Sequence, residues 1–228
     1  MQTFAGRSFT GPDRRGGNGF RIHLLATDEW PDEEARQRLA ASVAEPGTAF
    51  VDPSTRQYVL HNRMMPRRFV AHTTLGVLEV LASIGWSGTQ LLLPTGPVAV
   101  WSDDDGRRWA QAPASWSPND RHRQVPEPAD VDAIPGPPAD EPVQVWAWID
   151  ENRGRVRARQ FAPSEGKPED EACGSASMVL AQSLGRDLVV QHGRASEIQV
   201  RVQDITPAGM VSVGGFAVLD SPGRQLPV

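Results

Sequence analysis

The sequence predicts an α+β protein of two similar lobes, each rich in strands and containing one central helix. Strand-like alternation dominates both halves, and each half contains a single strongly apolar segment of helical periodicity. Eight prolines fall between residues 112 and 142, where no periodicity is found, as is typical of a linker or long surface loop. We therefore expect a first lobe at 1–115, a proline-rich linker at 116–142 and a second lobe at 143–228.

The individual elements follow from hydrophobic periodicity and from the turn residues between them. In the first half the pattern predicts helices at 32–43 and 72–84, and strands at 20–25, 48–51, 57–61, 90–93, 98–101 and 108–111. In the second half it predicts a helix at 175–184, and strands at 143–149, 156–161, 188–191, 198–203 and 210–219. The helices at 72–84 and 175–184 are apolar enough to be the buried helices of the two lobes.

Composition excludes several classes of function. The formal net charge of −5 argues against nucleic acid as the main partner, because phosphate binding needs a basic surface. Lys167, the single lysine, lies in a polar loop and is a poor candidate for Schiff-base chemistry. Cys173, the single cysteine, cannot form an internal disulfide. The N-terminus lacks the apolar core of a signal peptide, and no apolar run approaches the roughly 20 residues of a membrane span. We expect a cytoplasmic protein without a membrane partner.

Metal and cofactor motifs are also missing from the sequence. The five histidines are scattered without the short spacing of a zinc ligand set. Gly16-Gly17-Asn18-Gly19 is too short for a dinucleotide fingerprint, and no Walker-type loop is present. We therefore expect no metal and no cofactor.

Two segments a hundred residues apart resemble copies of one helix-start motif. Residues 69–76 (Phe-Val-Ala-His-Thr-Thr-Leu-Gly) and 171–178 (Glu-Ala-Cys-Gly-Ser-Ala-Ser-Met) both open into an apolar helix. A helix start offers unpaired N–H groups and the positive end of the helix dipole, so two of them could hold a carboxylate. The alternative is that Thr73, Thr74 and Ser175 simply cap two helices.

Several motifs match known sequence patterns, and they are collinear over nearly the whole chain. Residues 15–19 resemble a Phe-x-Gly-Asn-Pro turn, and 48–51 match the end of Ser-Glu-Thr-Ala-Phe-Val. Residues 69–75 resemble Cys-Gly-His-Ala-Thr-Leu. Phe-Ala-Pro at 161–163, followed by 168–176, resembles Phe-Ala-Pro … Glu-Asp-Pro-Ala-Thr-Gly-Ser-Ala. Residues 191–200 resemble Gln-Gly-x-x-x-Gly-Arg-Pro-Ser-x-Ile-x-Val, and 213–215 match a late glycine pair. Together these motifs resemble the PhzF-like isomerase family of phenazine biosynthesis.

The resemblance implies the diaminopimelate epimerase-like fold of two pseudo-symmetric lobes, each a mixed or antiparallel sheet wrapped around one central helix, with the site in the cleft between them. Because the chain is short for the family, the second lobe at 143–228 is expected to be shortened. The resemblance also implies cofactor-independent acid/base isomerisation of a small cyclic or unsaturated carboxylate, plausibly in secondary metabolism, by a homodimer. Carried over by motif, the catalytic candidates are Asp170, His72 and Cys173. The corresponding substrate-binding candidates are Gly174, Ser175, Ala71, Thr73 and Asn18.

The chain departs from the family pattern at important positions. Gly47 stands where the family has its acid/base Glu, and Glu45 is two residues away across a rigid Pro46. Val70-Ala71 replaces Cys-Gly in the first-lobe motif, and Cys173 stands where the family usually has Thr. Thiols at helix starts ionise more readily than free thiols. We hypothesise that Cys173 or Asp170, with His72 as partner, has taken over the proton transfer.

Two other functions are compatible with these departures. Loss of the Glu and a shortened second lobe favour a non-catalytic descendant that binds carboxylates without turnover. A third possibility is a partner subunit that uses the tryptophan-rich strand at 145–148 as an interface, although core packing is the more common role of such rings.

Overall fold

The computed structural model describes residues 1–118, 121–138, 140–202 and 209–220, without the side chains of Glu165 and Lys167. Within these residues fifteen strands form one connected sheet with four α-helices. The α-helices are α1 (Glu33–Ser42), α2 (Ala71–Ser83), α3 (Pro128–Asp132) and α4 (Gly174–Leu184). The fold class is α+β, as the sequence predicts.

The strands lie in two groups along the chain. The first group comprises β1 (Gln2–Thr10), β2 (Asn18–Leu24), β3 (Gly47–Asp52), β4 (Gln57–Asn62), β5 (Pro66–Arg67), β6 (Gln90–Leu93), β7 (Gly96–Ser102) and β8 (Arg108–Pro113). The second comprises β9 (Arg121–Gln124), β10 (Val143–Asp150), β11 (Arg155–Ala162), β12 (Lys167–Asp170), β13 (Leu188–His192), β14 (Ser196–Arg201) and β15 (Met210–Leu219).

A closed ring of paired strands surrounds α2 in the first half. The strand order is β1-β2-β3-β4-β6-β7-β8-β15, and β15 also pairs with β1, so the ring has no free edge. Ten of the thirteen α2 residues are buried, because the helix is apolar all round. Gly76 allows close packing, since a Cβ atom there would lie 2.5 Å from the ring of Phe20. The apolar segment at 72–84 therefore forms the core of this half.

An open sheet packs on α4 in the second half. Its strand order from β15 outward is β14-β13-β11-β10-β9, with β12 beside β11. β15 is shared, because it pairs with β8 and β1 of the first group and with β14 of the second. Together with a short pairing of Thr10 in β1 with Ser196 in β14, this strand joins the two halves into a continuous sheet.

Several elements were not expected from the sequence. β9 and α3 lie inside the proline-rich interval; β9 pairs in parallel with β10, and its His122 contacts the carbonyl oxygen of Ala176 in α4 at 3.0 Å. β1 and β12 were also not predicted. The predicted strand at 198–203 ends at Arg201, and its last residue lies outside the described residues.

The capping interpretation of the hydroxylic residues is wrong. Val70 is the N-cap residue of α2, so Thr73 and Thr74 lie inside its first turn. Cys173 is the N-cap residue of α4, which places Ser175 second in the helix, and the Cys173 side chain makes no capping hydrogen bond. Neither helix start is closed by the side chains that the sequence suggested for that role.

The tryptophan-rich strand packs inward. Trp146 is only 4% exposed, and Trp148 packs against the same core. The two rings meet edge to face, with their centroids 5.1 Å apart. Because its tryptophans pack against the core, the strand at 145–148 no longer favours an interface role. Among the described residues, no helix is both long and apolar enough to cross a membrane.

Candidate active site

The starts of α2 and α4 meet at the junction of the two halves. A Cβ atom at Gly174 would lie 2.7 Å from Cβ of Ala71 and 2.8 Å from the ring of Phe9. Glycine is therefore required at position 174 for the helix starts to approach this closely. The close approach places the two motifs found in the sequence in one location.

A small cavity of about 50 Å³ lies where the helix starts meet. Six predicted site residues line it: Ala71, His72, Asp170, Cys173, Gly174 and Ser175. The other lining residues are Pro46, Asn62, Arg67, Phe69, Val70, Pro118, Gln160 and Ala162. Such a volume holds a few waters and is well below that of a typical ligand pocket, so the cleft is closed in this conformation.

Asp170 lies at the end of β12, and two hydrogen bonds fix the orientation of its carboxylate. The Asn18 side-chain amide donates to Oδ1 at 2.5 Å, and the Ala172 N–H donates to the same oxygen at 3.2 Å. Asn18 also donates to the Ala172 carbonyl oxygen at 2.9 Å. Asn18 thus lies behind Asp170 and not on the cavity wall, and its contact with a substrate stays a prediction.

His192 lies near Asp170 on the side away from the cavity. Its Nδ1 contacts the Glu171 carbonyl oxygen at 2.9 Å. Burial lowers the pKa of His192, and the negative charges of Asp170 and Glu171 only partly oppose this effect. A neutral imidazole therefore lies close to the candidate carboxylate at neutral pH.

The space beside Gly47 is filled from α2. A Cβ atom at position 47 would overlap Oγ1 of Thr73 and lie 2.6 Å from Nε2 of His72. Thr73 is fully buried and does not line the cavity. These residues occupy the volume in which a side chain at position 47 would begin, so Gly47 is part of a repacked wall.

Glu45 does not point into the cavity. Its carboxylate accepts two hydrogen bonds from the Arg21 guanidinium, at 2.6 and 3.0 Å, and both side chains are largely buried. Pro46, between Glu45 and Gly47, is the residue of this segment that lines the cavity. Glu45 is therefore engaged elsewhere and is poorly placed to replace the missing acid/base.

The electrostatics of the two helix starts favour an anion. The first N–H groups of a helix have no partner within it, and neither N-cap residue donates or accepts a capping bond through its side chain. Neither first turn contains an acidic residue. The cavity thus receives the positive ends of two helix dipoles. Within the described part of the chain, no group of three His, Cys, Asp or Glu residues could hold a metal ion.

Sequence reasoning missed part of the cavity wall. The structure places Arg67, Asn62 and Gln160 on the wall, and none of them was among the predicted site residues. Gln160 and Ala162 flank Phe161 of the Phe-Ala-Pro motif, which was a usable signal. Arg67 had none, because it reaches the site only through the pairing of β5 with β4.

No protein-family model matches the chain. Among solved structures, the chain is similar to a PhzC/PhzF phenazine biosynthesis protein from Clostridium difficile, with a TM-score of 0.76, 18% identity and 100% of both chains covered. A phenazine biosynthesis protein of the PhzF family from Enterococcus faecalis matches with a TM-score of 0.69 and 17% identity, over 97% of this chain and 98% of that one. A hydroxyproline epimerase from Agrobacterium vitis, solved with trans-4-hydroxy-L-proline, matches with a TM-score of 0.60 and 11% identity, over 100% of this chain and 95% of that one. The chain therefore has the PhzF-like, diaminopimelate epimerase-like fold that its motifs predicted.

Proposed function

We propose that the protein is a cofactor-independent isomerase that moves a proton or a double bond in a small carboxylate-bearing metabolite. One observation carries this proposal: the starts of two buried helices open into the same cavity as Asp170, His72 and Cys173. The hydroxyproline epimerase of similar fold supports the reaction class, and its bound hydroxyproline supports a small carboxylate substrate.

The substrate carboxylate is held by backbone N–H groups at Gly174 and Ser175, with the Ser175 hydroxyl as a further donor. A carbon next to a carboxylate becomes acidic only when the negative charge that develops on the carboxylate oxygens is stabilised. Helix-start N–H groups are fixed donors suited to that charge. The same N–H groups thus bind the substrate carboxylate and stabilise the enolate.

Asp170 is the proposed base. Its carboxylate takes a proton from one substrate carbon and returns it to another carbon on the same face, so one group suffices for an allylic shift. Inversion at a single carbon needs a second acid on the opposite face. Hydrogen bonds from Asn18 and Ala172 to Oδ1 set its orientation. His72, on the opposite wall, and Cys173, at the N-cap of α4, are the candidate partners for the second proton position.

Proton exchange in heavy water tests this function. A panel of cyclic and unsaturated carboxylates, including trans-4-hydroxy-L-proline, is incubated with the protein and examined by NMR for deuterium at carbon. We expect incorporation that falls at least about 100-fold in Asp170→Asn. Asp104→Asn, in an exposed turn, is the matched control and should retain full exchange. Incorporation that survives in Asp170→Asn, His72→Asn and Cys173→Ala would contradict the site assignment.

A non-catalytic carboxylate-binding protein is the second candidate. The packing of Thr73 and His72 into the space beside Gly47 favours it, because no carboxylate stands at the family's acid/base position. This candidate predicts saturable binding of panel members without deuterium at any carbon. The homodimer stays a prediction of the resemblance, which light scattering can measure.

A further inference from the structure

We propose that Glu171 is a positioning residue, which holds the Asp170 carboxylate against Asn18 through a second tie between the two halves. The proposal rests on the proposed function for its kinetic consequence, but its structural part can be tested independently. Glu171 follows Asp170 directly and does not line the cavity. It can therefore act on the substrate only through its neighbour.

The Glu171 carboxylate holds the turn between β13 and β14. It accepts hydrogen bonds from the backbone N–H of Arg194, at 2.9 and 3.0 Å, and of Ala195, at 3.1 Å. The Ser196 hydroxyl donates to it at 2.9 Å. Three donors on one partly buried carboxylate make this a strong, charge-assisted anchor.

Ser196 extends the anchor into the first half of the chain. Its hydroxyl oxygen accepts a hydrogen bond from the Gly17 N–H at 2.8 Å. Gly17 precedes Asn18, which donates to Asp170 at 2.5 Å. The dipeptides Gly17-Asn18 and Asp170-Glu171 are consequently linked twice, once directly and once through Ser196.

Three glycines make the double link sterically possible. Gly193 has a φ of 55°, and a Cβ atom there would overlap the Glu171 carbonyl oxygen and lie 2.5 Å from Oε2. Gly16 and Gly17 also have positive φ values, and a Cβ atom on Gly16 would lie 2.8 Å from the Ser196 hydroxyl. The glycines of the early turn and of the β13–β14 turn thus serve the same clamp.

A second tie matters because it restricts movement of the whole segment that carries Asp170 relative to Asn18. Catalytic groups that are displaced by about 1 Å lose about 100-fold in rate, even when the protein remains folded. Glu171 stands where the family pattern quoted above has Pro, so the clamp belongs to this chain's own sequence. It fixes the segment that carries Asp170, Cys173 and Gly174.

The test compares Glu171→Ala and Glu171→Gln with Glu169→Ala as a matched control. Glu169 flanks Asp170 on the other side, and its carboxylate pairs with Arg159. The first readout is the NMR signal of the Asn18 side-chain amide in the intact protein. We expect this signal to move to the position of an unbonded amide in Glu171→Ala, to shift partly in Glu171→Gln and to stay in place in Glu169→Ala.

The second readout is the rate of deuterium incorporation into the carboxylate that the wild-type protein turns over. We expect kcat to fall at least tenfold in Glu171→Ala with KM changed less than threefold, partial recovery in Glu171→Gln, and no change beyond twofold in Glu169→Ala. An unmoved Asn18 signal in Glu171→Ala, or a moved signal with kcat unchanged, would overturn the proposal.

Failure of the proposed function gives a different result. If the wild-type protein labels no member of the panel, the isomerase proposal fails, while the Asn18 signal still decides whether Glu171 positions Asp170. If Glu171→Ala does not fold, Glu171→Gln decides on the same criteria, because it keeps an oxygen that accepts from Ser196.

Discussion

The starts of α2 and α4 are built from similar sequences but are packed in different ways. The α2 start lies inside a closed ring of strands, and Thr73 and His72 fill the space beside Gly47. The α4 start lies on an open sheet, and its Cys173 and Ser175 are only half-buried. The comparison indicates that the α2 start forms a filled wall and that the α4 start presents the more accessible polar side chains.

Polar partners separate the two starts further. Asp170, three residues before Cys173, is held by Asn18 from the other half of the chain. The corresponding ionisable side chain on the α2 side would have come from position 47, which is glycine. In the proposed site the carboxylate of Asp170 therefore stands on one wall, with His72 on the other. Substitutions at the two helix starts can test this difference.

The largest expected effect of a single substitution comes from returning a carboxylate to the α2 side with Gly47→Glu. Because the new Cβ atom overlaps Thr73 and crowds His72, we expect a loss of about 3 kcal/mol or more in the free energy of unfolding. We also expect no gain in deuterium exchange. Urea unfolding and the heavy-water assay measure the two quantities.

The control for this change is Gly136→Glu. A Cβ atom at Gly136 meets no atom within 4 Å, so the same substitution there should cost less than about 0.5 kcal/mol. Thr73→Ala should relieve part of the cost of Gly47→Glu, because it removes the overlapping hydroxyl. Equal stabilities of the two Glu variants would show that the wall at position 47 is not packed as described.

Acidification should weaken the first half through two histidines on the outer side of its sheet. Burial is the main reason that the pKa values of His23 and His61 are both about 4, compared with 6.5 in the unfolded chain. Because the unfolded state binds protons first, this stability is fully present above pH 6.5 and is lost as the pH falls towards 4. We expect a loss of about 2–3 kcal/mol for each of the two histidines, measured from the shift of the urea midpoint between pH 7.5 and pH 4.5.

The variant His61→Gln tests the origin of that loss. It removes one titrating ring and retains a side chain that can reach Gln37, the present partner of Nδ1 at 2.9 Å. The loss on acidification should shrink to about half. A pH dependence identical to that of the wild-type protein would instead assign the loss to other buried groups, such as His122 and His192 in the second half.

The sequence predicts the helices and strands whose own residues show apolar periodicity. The helix at 72–84 and the strands on either side of it could be found because apolar periodicity reports burial directly. β9 could not, since Arg121-His-Arg-Gln is polar and is held by backbone pairing with β10 at a sheet edge. β1 was missed because both of its neighbours, β2 and β15, are specified elsewhere in the chain.

The sequence predicts only those residues of the candidate site that belong to local motifs. His72, Asp170 and Gly174 belong to local motifs at helix starts, and the structure brings them to one cavity. Arg67 and Asn62 arrive through strand pairing that no local pattern encodes. The role of Thr73 was also hidden, because only the packed structure shows that its hydroxyl occupies the space beside Gly47.

A smaller effect is expected from separating the helix starts with Gly174→Ala. The added methyl group would lie within 2.8 Å of both Ala71 and Phe9, which should cost about 1–3 kcal/mol and widen the cavity. The reciprocal double variant Ala71→Gly/Gly174→Ala should recover part of this cost. Thermal unfolding measures the difference, with Ser175→Ala as a half-buried neighbouring control. Full stability of Gly174→Ala would show that the helix starts do not need this close approach.

The smallest effect should come from Glu45→Gln. Glu45 is held by Arg21 of β2, so the variant loses one charge-assisted pair, and we expect a cost of about 1 kcal/mol in urea unfolding. Deuterium exchange should stay within twofold of the wild-type rate, because the Glu45 carboxylate does not line the cavity. A loss of exchange comparable to that of Asp170→Asn would mean that Glu45 leaves Arg21 during turnover and restores a second acid/base group. The asymmetry between the two helix starts would then be a property of the closed cleft alone.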